Sequence, residues 1–326
     1  MPTPSIGTPW LWATSIAVLL ALLTTDFLVT RNPHRVHLRE AIGWSAFYLT
    51  LPLLFGLLLW ATSSGEHALE FITGFVVEKS LSVDNLFVFM LLLAGFAVPP
   101  ELQQRVLLYG IIGALVLRGV FIAAGAALLQ TGTWAFLLFG ALLLATAAKI
   151  LREAITGTGF THDVADLRSV RLLRRLMPIT DDYRGTRLLV RDSGRTTLTP
   201  LAVVVVAVFA TDIVFAVDSV PAVYGVTDDP YLVFTTNAFA LLGLRALYFV
   251  LHTTLTQLEH LSHGLAIILA FIGAKLVLHW AHGTWPAVPQ IPTAASLAVI
   301  ALVLATVTAT SLRARRTTRE GPGNQP

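Results

Sequence analysis

Nine long apolar runs follow one another along this chain, and they limit its fold more than any other feature of the sequence. A membrane-spanning helix needs about 20 apolar residues, and the runs are of about that length or longer. Only 13% of the residues are charged, against about 25% in an ordinary soluble domain. We therefore predict an all-α polytopic membrane protein with about nine transmembrane helices. The runs lie at residues 8–30, 42–62, 69–97, 106–128, 133–152, 200–225, 231–255, 265–282 and 293–312.

The placement of the basic residues gives these helices an orientation. If the N-terminus lies outside, the cytoplasmic segments hold 18 of the 22 Lys and Arg residues, and the outside segments hold none. Membrane proteins carry such an excess on the cytoplasmic side. We expect a multi-pass protein of the cell membrane, plasma or inner, with the N-terminus outside and the C-terminus in the cytoplasm. We expect the first run to be retained, because no basic residue precedes it as in a signal peptide.

The longest polar stretch, residues 157–199, is predicted to be a basic cytoplasmic loop. Residues 166–177 favour a basic amphipathic helix on the membrane surface, and this explains the positive charge without a nucleic-acid partner. A turn at residues 192–194 lies between two β-prone runs and favours a small hairpin before span six. The loop also offers a docking surface for other membrane proteins.

The chain has no cysteine. This excludes a disulfide scaffold, a thiolate metal site and a cysteine nucleophile. No arrangement of Ser, His and Asp supports hydrolysis, and no phosphate-binding loop is present in the sequence. We therefore expect no enzyme, no catalytic residue and no prosthetic group, with the lipid bilayer as the surroundings of the chain.

Spans three and six contain carboxylates that apolar helices disfavour. Glu78 and Asp84 lie six residues apart in span three, and Asp212 and Asp218 lie six residues apart in span six. An Asp at the centre of a membrane helix costs about 2.5–3.5 kcal/mol on insertion scales. These four groups therefore need partners, protons or a function.

Six residues at 100° each place the two carboxylates of a pair about 120° apart on a regular helix. One possibility is that the helix is broken, near Ser80 and Ser82 in span three or near Pro221 in span six, which frees backbone carbonyls as ligands. The other possibility is that the carboxylates line a wide cavity. If the helices stay regular, we expect one carboxylate of each pair at a site and the other paired with Arg or Lys.

The acidic helices belong to a longer internal repeat. Arg118 in span four aligns with Arg245 in span seven, and Lys149 in span five aligns with Lys275 in span eight. The two sets of three helices have opposite orientations, so we predict two inverted three-helix repeats, spans 3–5 and 6–8. Secondary transporters place their sites at the midplane between such repeats. The predicted organisation is 1–62, two N-terminal helices; 63–156, first repeat; 157–199, loop; 200–285, second repeat; and 286–326, last helix and cytoplasmic tail.

The polar residues of spans three and six offer only oxygen ligands. Hard divalent cations such as Mn, Mg or Ca prefer these ligands, whereas Zn and Cu favour Cys and His. We predict a metal site at the midplane. Its ligands would come from Glu78, Asp84, Asn85, Asp212 and Asp218, with Ser82, Thr211 and Ser219 as supporting polar groups.

Two other interpretations of the acidic residues stay open. The acids are balanced in number by Lys79, Arg118, Arg245 and Lys275, so the whole set can form structural ion pairs inside the bilayer. One or more of the acids can also relay protons, the counter-ion of a transporter. Asp26, near the inner end of span one, is expected to pair with Arg31.

Four stretches of the sequence resemble the TerC family of integral membrane proteins, named for tellurium resistance. They are EKSLSVDNLFVF at 78–89, RLMPITDDYRGTRLLVRDSGR at 175–195, TDIVFAVDSVPAV at 211–223 and GAKL at 273–276. The acidic motif positions of the family fall on Glu78, Asp84, Asn85, Asp212, Asp218 and Ser219.

The resemblance implies a role in divalent-metal homeostasis, chiefly manganese export, within a superfamily of lysine-exporter-like inverted repeats. It leaves two alternatives open, because some members are linked to tellurite resistance and others to the assembly of membrane proteins without transport. We expect a secondary transporter that moves a divalent cation outward, with protons as the coupling ion.

Overall fold

The computed structural model describes residues 5–29, 38–156, 178–180, 182–192, 195–252 and 261–320. These residues form ten α-helices and one two-stranded sheet. The elements are α1 (Pro9–Val29), α2 (Leu38–Thr62), α3 (Gly65–Gly95), α4 (Pro100–Gln130), α5 (Trp134–Thr156), β1 (Leu189–Asp192), β2 (Arg195–Leu198), α6 (Pro200–Tyr224), α7 (Pro230–Leu242), α8 (Leu244–His252), α9 (Leu261–Thr284) and α10 (Thr293–Glu320).

Seven helical stretches in these ranges are long and apolar enough to cross a membrane. They are Pro9–Leu28, Arg39–Thr62, Pro100–Gln130, Trp134–Thr156, Pro200–Tyr224, Pro230–Val250 and His263–Thr284. The prediction of a mostly helical, polytopic membrane protein is thus confirmed. The other two predicted spans correspond to α3, which has Glu78, Lys79 and Asp84 in its central part, and to α10, whose apolar part Thr293–Val307 is shorter. The count of nine spans stays a prediction.

Side-chain caps fix where α6 and α7 begin. The hydroxyl of Thr199 accepts a hydrogen bond from the backbone N–H of Ala202, and a carboxylate oxygen of Asp229 accepts one from that of Tyr231. A proline follows each cap, at a position where its missing N–H costs nothing. Asp229 also accepts a 2.7 Å hydrogen bond from the backbone N–H of Ile6, so it ties the N-terminal segment to the start of α7.

The helix interruption lies in span seven, not in spans three or six. Both α3 and α6 are continuous, and α6 passes through Pro221, so of the two alternatives the structure has the regular helices. Instead, Gly243 separates α7 from α8. The Lys79 ammonium donates a 3.1 Å hydrogen bond to the Ala240 carbonyl, one of the carbonyls that a helix end leaves without a partner. A Cβ atom at Gly243 would lie 3.1 Å from the Lys79 nitrogen, so the glycine leaves room for this ammonium.

The two predicted repeats pack on each other rather than as separate bodies. Helix α3 packs on α7, α4 on α6 and α5 on α9, and the α5–α9 pair has the most extensive packing. Gly140 and Gly273 allow the backbones of α5 and α9 to meet, since a Cβ atom at Gly140 would lie 2.8 Å from the Gly273 carbonyl oxygen. Every extensive helix pair among these six therefore joins one set to the other.

A hairpin follows the long loop on the predicted cytoplasmic side. Strands β1 and β2 pair antiparallel, with Asp192 opposite Arg195, so the predicted hairpin is confirmed. The hydroxyl of Tyr183 donates a 2.7 Å hydrogen bond to the Phe96 carbonyl, which attaches the segment before the hairpin to the end of α3. The predicted amphipathic helix at 166–177 lies outside the described residues.

Candidate functional site

Acidic residues from α3 and α6 meet an arginine from α4 in the interior of the helix bundle. The Arg118 guanidinium forms an ion pair with Glu78, and its second terminal nitrogen lies 3.6 Å from a carboxylate oxygen of Asp212. The three side chains are at most 3% exposed. Asp212 is ~18 Å from either end of α6 at 1.5 Å per residue. We call Glu78, Arg118 and Asp212 the central cluster.

The central cluster contains one acid from each predicted pair. Six residues separate Glu78 from Asp84 and Asp212 from Asp218, and the helices stay regular, so the two acids of a pair cannot share one narrow face. Glu78 and Asp212 are the members that pair with an arginine, and the placement of the other acid of each pair at a metal site stays a prediction. Equivalent acids of the two predicted repeats thus converge on a single guanidinium.

Asn237 on α7 is a fourth member of this site. Its side-chain oxygen accepts a 2.9 Å hydrogen bond from Arg118. Its amide nitrogen donates a 2.9 Å hydrogen bond to the Val233 carbonyl one turn earlier. This bond orients the side-chain oxygen to accept from the guanidinium. The sequence analysis did not identify Asn237, for which a single amide in the apolar part of span seven was a weak signal.

A third acid, Asp218, lies near the Arg118 guanidinium. Asp218 is half-buried and near enough to Arg118 for its charge to stabilise the guanidinium. Buried charges lose several kcal/mol of hydration each, and they need compensating partners to be tolerated. Glu78, Asp212 and Asp218 therefore all stabilise the positive charge of Arg118.

Buried oxygen atoms lie on the same helices as the acids. The hydroxyls of Ser82 and Ser219, and one carboxylate oxygen of Asp212, are buried and make no hydrogen bond within the described residues. Asn85 is 5% exposed. Oxygens of these kinds are the ligands of hard divalent cations. Thr211 is less suited, because its hydroxyl donates a 2.8 Å hydrogen bond to the Ala207 carbonyl of its own helix.

The predicted metal ligands are not gathered around one point in this arrangement. Across the described ranges, no group of three or more His, Asp or Glu side chains is close enough to hold a metal ion. Instead, Arg118 lies between Glu78 and Asp212 and pairs with both. The side chain of Asp84 lies outside the described part of the structure. The metal-ligand set therefore stays a prediction.

Of the four basic residues predicted to balance the acids, Arg118 is the one that the structure brings to the central cluster. Lys79 binds the end of α7. Arg245 forms an ion pair with Asp26 and donates a 3.3 Å hydrogen bond to the side-chain oxygen of Gln104. Asp26 thus has a partner from span seven, while Arg31, the partner expected from the sequence, lies outside the described residues.

Lys149 and Lys275 are not equivalent in the structure, although their sequences align. The Lys149 side chain is 71% exposed and lies 3.9 Å from Glu153 on the same helix. Lys275 is half-buried and is near the carboxylates of Glu70 and Asp228, which stabilise its charge. The third helix of each predicted repeat therefore carries its lysine in a different environment.

A cavity of about 680 Å³ opens at the predicted outer ends of α3, α6 and α9. Glu70, Asp228, Lys275 and His279 line it, and Glu70 accepts a 2.7 Å hydrogen bond from Thr227. Burial raises the pKa of Asp228, and the nearby His279 and Lys275 oppose this shift. The cavity is thus a polar opening that begins about 12 Å along α3 from Glu78 at 1.5 Å per residue.

Comparison with known proteins places the chain in a family. The family model described as integral membrane protein TerC family matches residues 63–319. An uncharacterized membrane protein of Myxococcus xanthus is 40% identical over 276 residues, 84% of this chain and 85% of that protein.

Two Alx proteins are similar over nearly the whole chain, and their names propose a role as membrane-bound redox modulators. The protein from Salmonella typhi is 41% identical over 309 residues, and that from Escherichia coli (strain K12) is 39% identical over 307 residues. Each alignment covers 91% of this chain and 92% of the relative. No solved structure matches. The chain belongs to the TerC family of integral membrane proteins.

Proposed function

We propose that this protein is a secondary transporter of a divalent cation, with manganese export as its role in the cell. The observation that supports the proposal is that Glu78 from α3 and Asp212 from α6 both pair with Arg118 at mid-helix, between the two predicted repeats. Transporters built from inverted repeats bind their substrates at this depth, between the repeats. The outward direction and the choice of manganese come from the resemblance to the family.

The chemistry of the site favours a hard cation as the substrate. Carboxylates and buried hydroxyls replace the hydration shell of such an ion, and the carboxylates attract positive charge. Release into water requires that this attraction weaken. Protonation of a carboxylate does so, and we propose proton antiport as the coupling.

The outer cavity supports an exit route on the predicted outside. Its acidic residues, Glu70 and Asp228, raise the local concentration of cations, and α3 connects Glu70 directly to Glu78. The hydrophobic packing between the two sets argues against a rocking of one three-helix set on the other. We propose that the site opens by movement of helix pairs, since α3–α7, α4–α6 and α5–α9 each join the sets.

Transport by purified protein in liposomes tests the proposal. Mn²⁺ entry is followed by quenching of a trapped dye, with a pH gradient imposed. We expect uptake by the wild-type protein and loss of most of it in Glu78→Gln, in Asp212→Asn, and in Asp84→Asn combined with Asp218→Asn. Glu153→Gln is the matched control, because this acid lies on α5 beside Lys149, and it should transport normally.

Normal Mn²⁺ transport by the acid variants would refute the site. A second set of liposomes with tellurite separates cation transport from handling of an oxyanion. A non-transporting assembly scaffold predicts a different result in cells, in which the acid variants are tolerated and neutralisation of the 157–199 loop abolishes function.

The name of the Alx relatives fits this proposal only indirectly. The chain has no cysteine, so it has no thiol with which to exchange disulfides or electrons. We propose that any effect on cellular redox state arises from the level of the transported cation. Cells without the protein should then accumulate manganese, measured by elemental analysis, and the acid variants should fail to restore the normal level.

A further inference from the structure

We propose that Arg118 is the resident counter-cation of the transport site and that the divalent substrate must displace it from Glu78 and Asp212. The proposal rests on the proposed function and adds a competitor for the substrate. Its starting point is the position of the guanidinium, which contacts one acid from each predicted repeat and is 1% exposed.

The guanidinium and a divalent cation exclude each other at this place. Both are attracted by the same carboxylate oxygens of Glu78 and Asp212, and two positive charges this close repel each other strongly in a protein interior. Arginine does not lose its charge in proteins, so deprotonation cannot clear the site. Arg118 therefore has to move aside, or release one acid, before a cation can bind both.

Asn237 gives the displaced guanidinium a neutral acceptor. Its oxygen already accepts a hydrogen bond from Arg118 at 2.9 Å, and its nitrogen is held by the Val233 carbonyl. A guanidinium has five N–H donors in a planar fork, so it can keep the amide contact while it leaves a carboxylate. The site then exchanges one cation for another without leaving a buried acid unpaired.

This exchange explains how a strongly acidic site releases a divalent cation. When the substrate leaves, Arg118 returns to the two carboxylates and compensates their charge. The empty site is thereby stabilised relative to the occupied one. Removal of the guanidinium should tighten cation binding and slow release, whereas removal of its neutral acceptor should hold Arg118 on the acids and weaken cation binding.

The test measures Mn²⁺ binding by titration calorimetry and transport in liposomes for two variants of the full chain. In Arg118→Gln we expect a Kd for Mn²⁺ that is lower by tenfold or more, because the guanidinium charge a few ångströms away repels the cation strongly in a protein interior. We also expect a lower maximal transport rate. In Asn237→Leu we expect a higher Kd. The two variants thus change the affinity in opposite directions.

Thermal unfolding in detergent gives a second measurement. Without Mn²⁺, Arg118→Gln should melt below the wild-type protein, and Mn²⁺ should raise its midpoint more than that of the wild type. Arg245→Gln is the matched control, because it also removes a buried arginine from a carboxylate, that of Asp26. It should lower the melting midpoint and leave the Kd for Mn²⁺ unchanged.

An unchanged or higher Kd in Arg118→Gln would overturn the proposal, since it would make the arginine a structural group or an organiser of the ligands. If Arg118→Gln does not fold, Asn237→Leu decides: a higher Kd supports displacement, and an unchanged or lower Kd overturns it. Failure of the wild-type protein to bind and transport Mn²⁺ would instead refute the proposed function. The wild-type measurement therefore separates the two failures.

Discussion

The contact between Gly140 and Gly273 predicts that Gly140→Ala destabilises the protein. A Cβ atom at this position would lie 2.8 Å from the Gly273 carbonyl oxygen and 2.8 Å from a methyl carbon of Val277. Ordinary contacts begin near 3.4 Å, and a backbone oxygen cannot rotate away. Helix α5 must therefore move away from α9 by roughly 0.6 Å. These two helices form the most extensive helix interface of the bundle.

Two opposing effects determine the size of the loss. Overpacking of a close contact costs about 1–3 kcal/mol, and alanine gains about 0.5–1 kcal/mol over glycine within a helix. We expect a net loss of about 0–2.5 kcal/mol in the free energy of unfolding. Gly43→Ala is the matched control, because a Cβ atom at Gly43 in α2 would have nothing within 4 Å; it should be neutral or stabilising.

Denaturant unfolding of the purified protein in detergent measures both variants. Gly273→Ala should also be destabilising, since its Cβ atom would lie 3.0 Å from the Gly140 carbonyl oxygen. The two substitutions strain one interface, so the double variant should lose a different amount from the sum of the single losses. A stability of Gly140→Ala equal to or above that of Gly43→Ala would refute the close approach of α5 and α9.

Three further predictions concern other buried groups. Tyr224→Phe removes the 2.8 Å hydrogen bond to the Ile122 carbonyl and should cost about 1 kcal/mol in the same unfolding assay. Asp26→Asn or Arg245→Gln alone should cost about 3–5 kcal/mol, because each removes the counter-charge of a buried ion, and the double variant should cost less than the sum. Burial raises the pKa of Asp228 in the folded protein, so ionisation of this carboxyl lowers the free energy of unfolding. The stability that the protonated form provides is fully present below the unfolded pKa near 4. It is lost as the pH rises through the folded pKa. Asp228→Asn should remove that part of the pH dependence of the melting midpoint.

The helices were predictable because their signals are local. The apolar run at 200–225 corresponds to α6, which begins at Pro200 because Thr199 caps it and the proline fits the first turn. The hairpin was predictable for a similar reason, since a turn sequence lay between two β-prone runs. Glu78 and Asp212 were identifiable as candidate site residues because an acid in an apolar helix is costly wherever the helix packs.

The partners of the charged residues were not predictable, because they depend on which helices touch. Asp26 pairs with Arg245 from a helix far along the chain, and nothing in the local sequence distinguishes Arg245 from Arg118. The break at Gly243 was missed since an apolar run looks the same on either side of it. Asn237 was missed because one amide in an apolar run carries a weak signal until its contact with Arg118 is known.

The ion pair between Asp26 and Arg245 has a consequence for how the chain is made. The two residues are separated by 219 positions, so at about 5–20 residues per second the ribosome needs roughly 11–44 s to supply the second after the first. During this time α1 has Tyr48 of α2 as a hydrogen-bond donor for its carboxylate and lacks the arginine of α8. The N-terminal helix therefore reaches its final charge balance only after span seven has been inserted, which makes its docking a late step of biosynthesis.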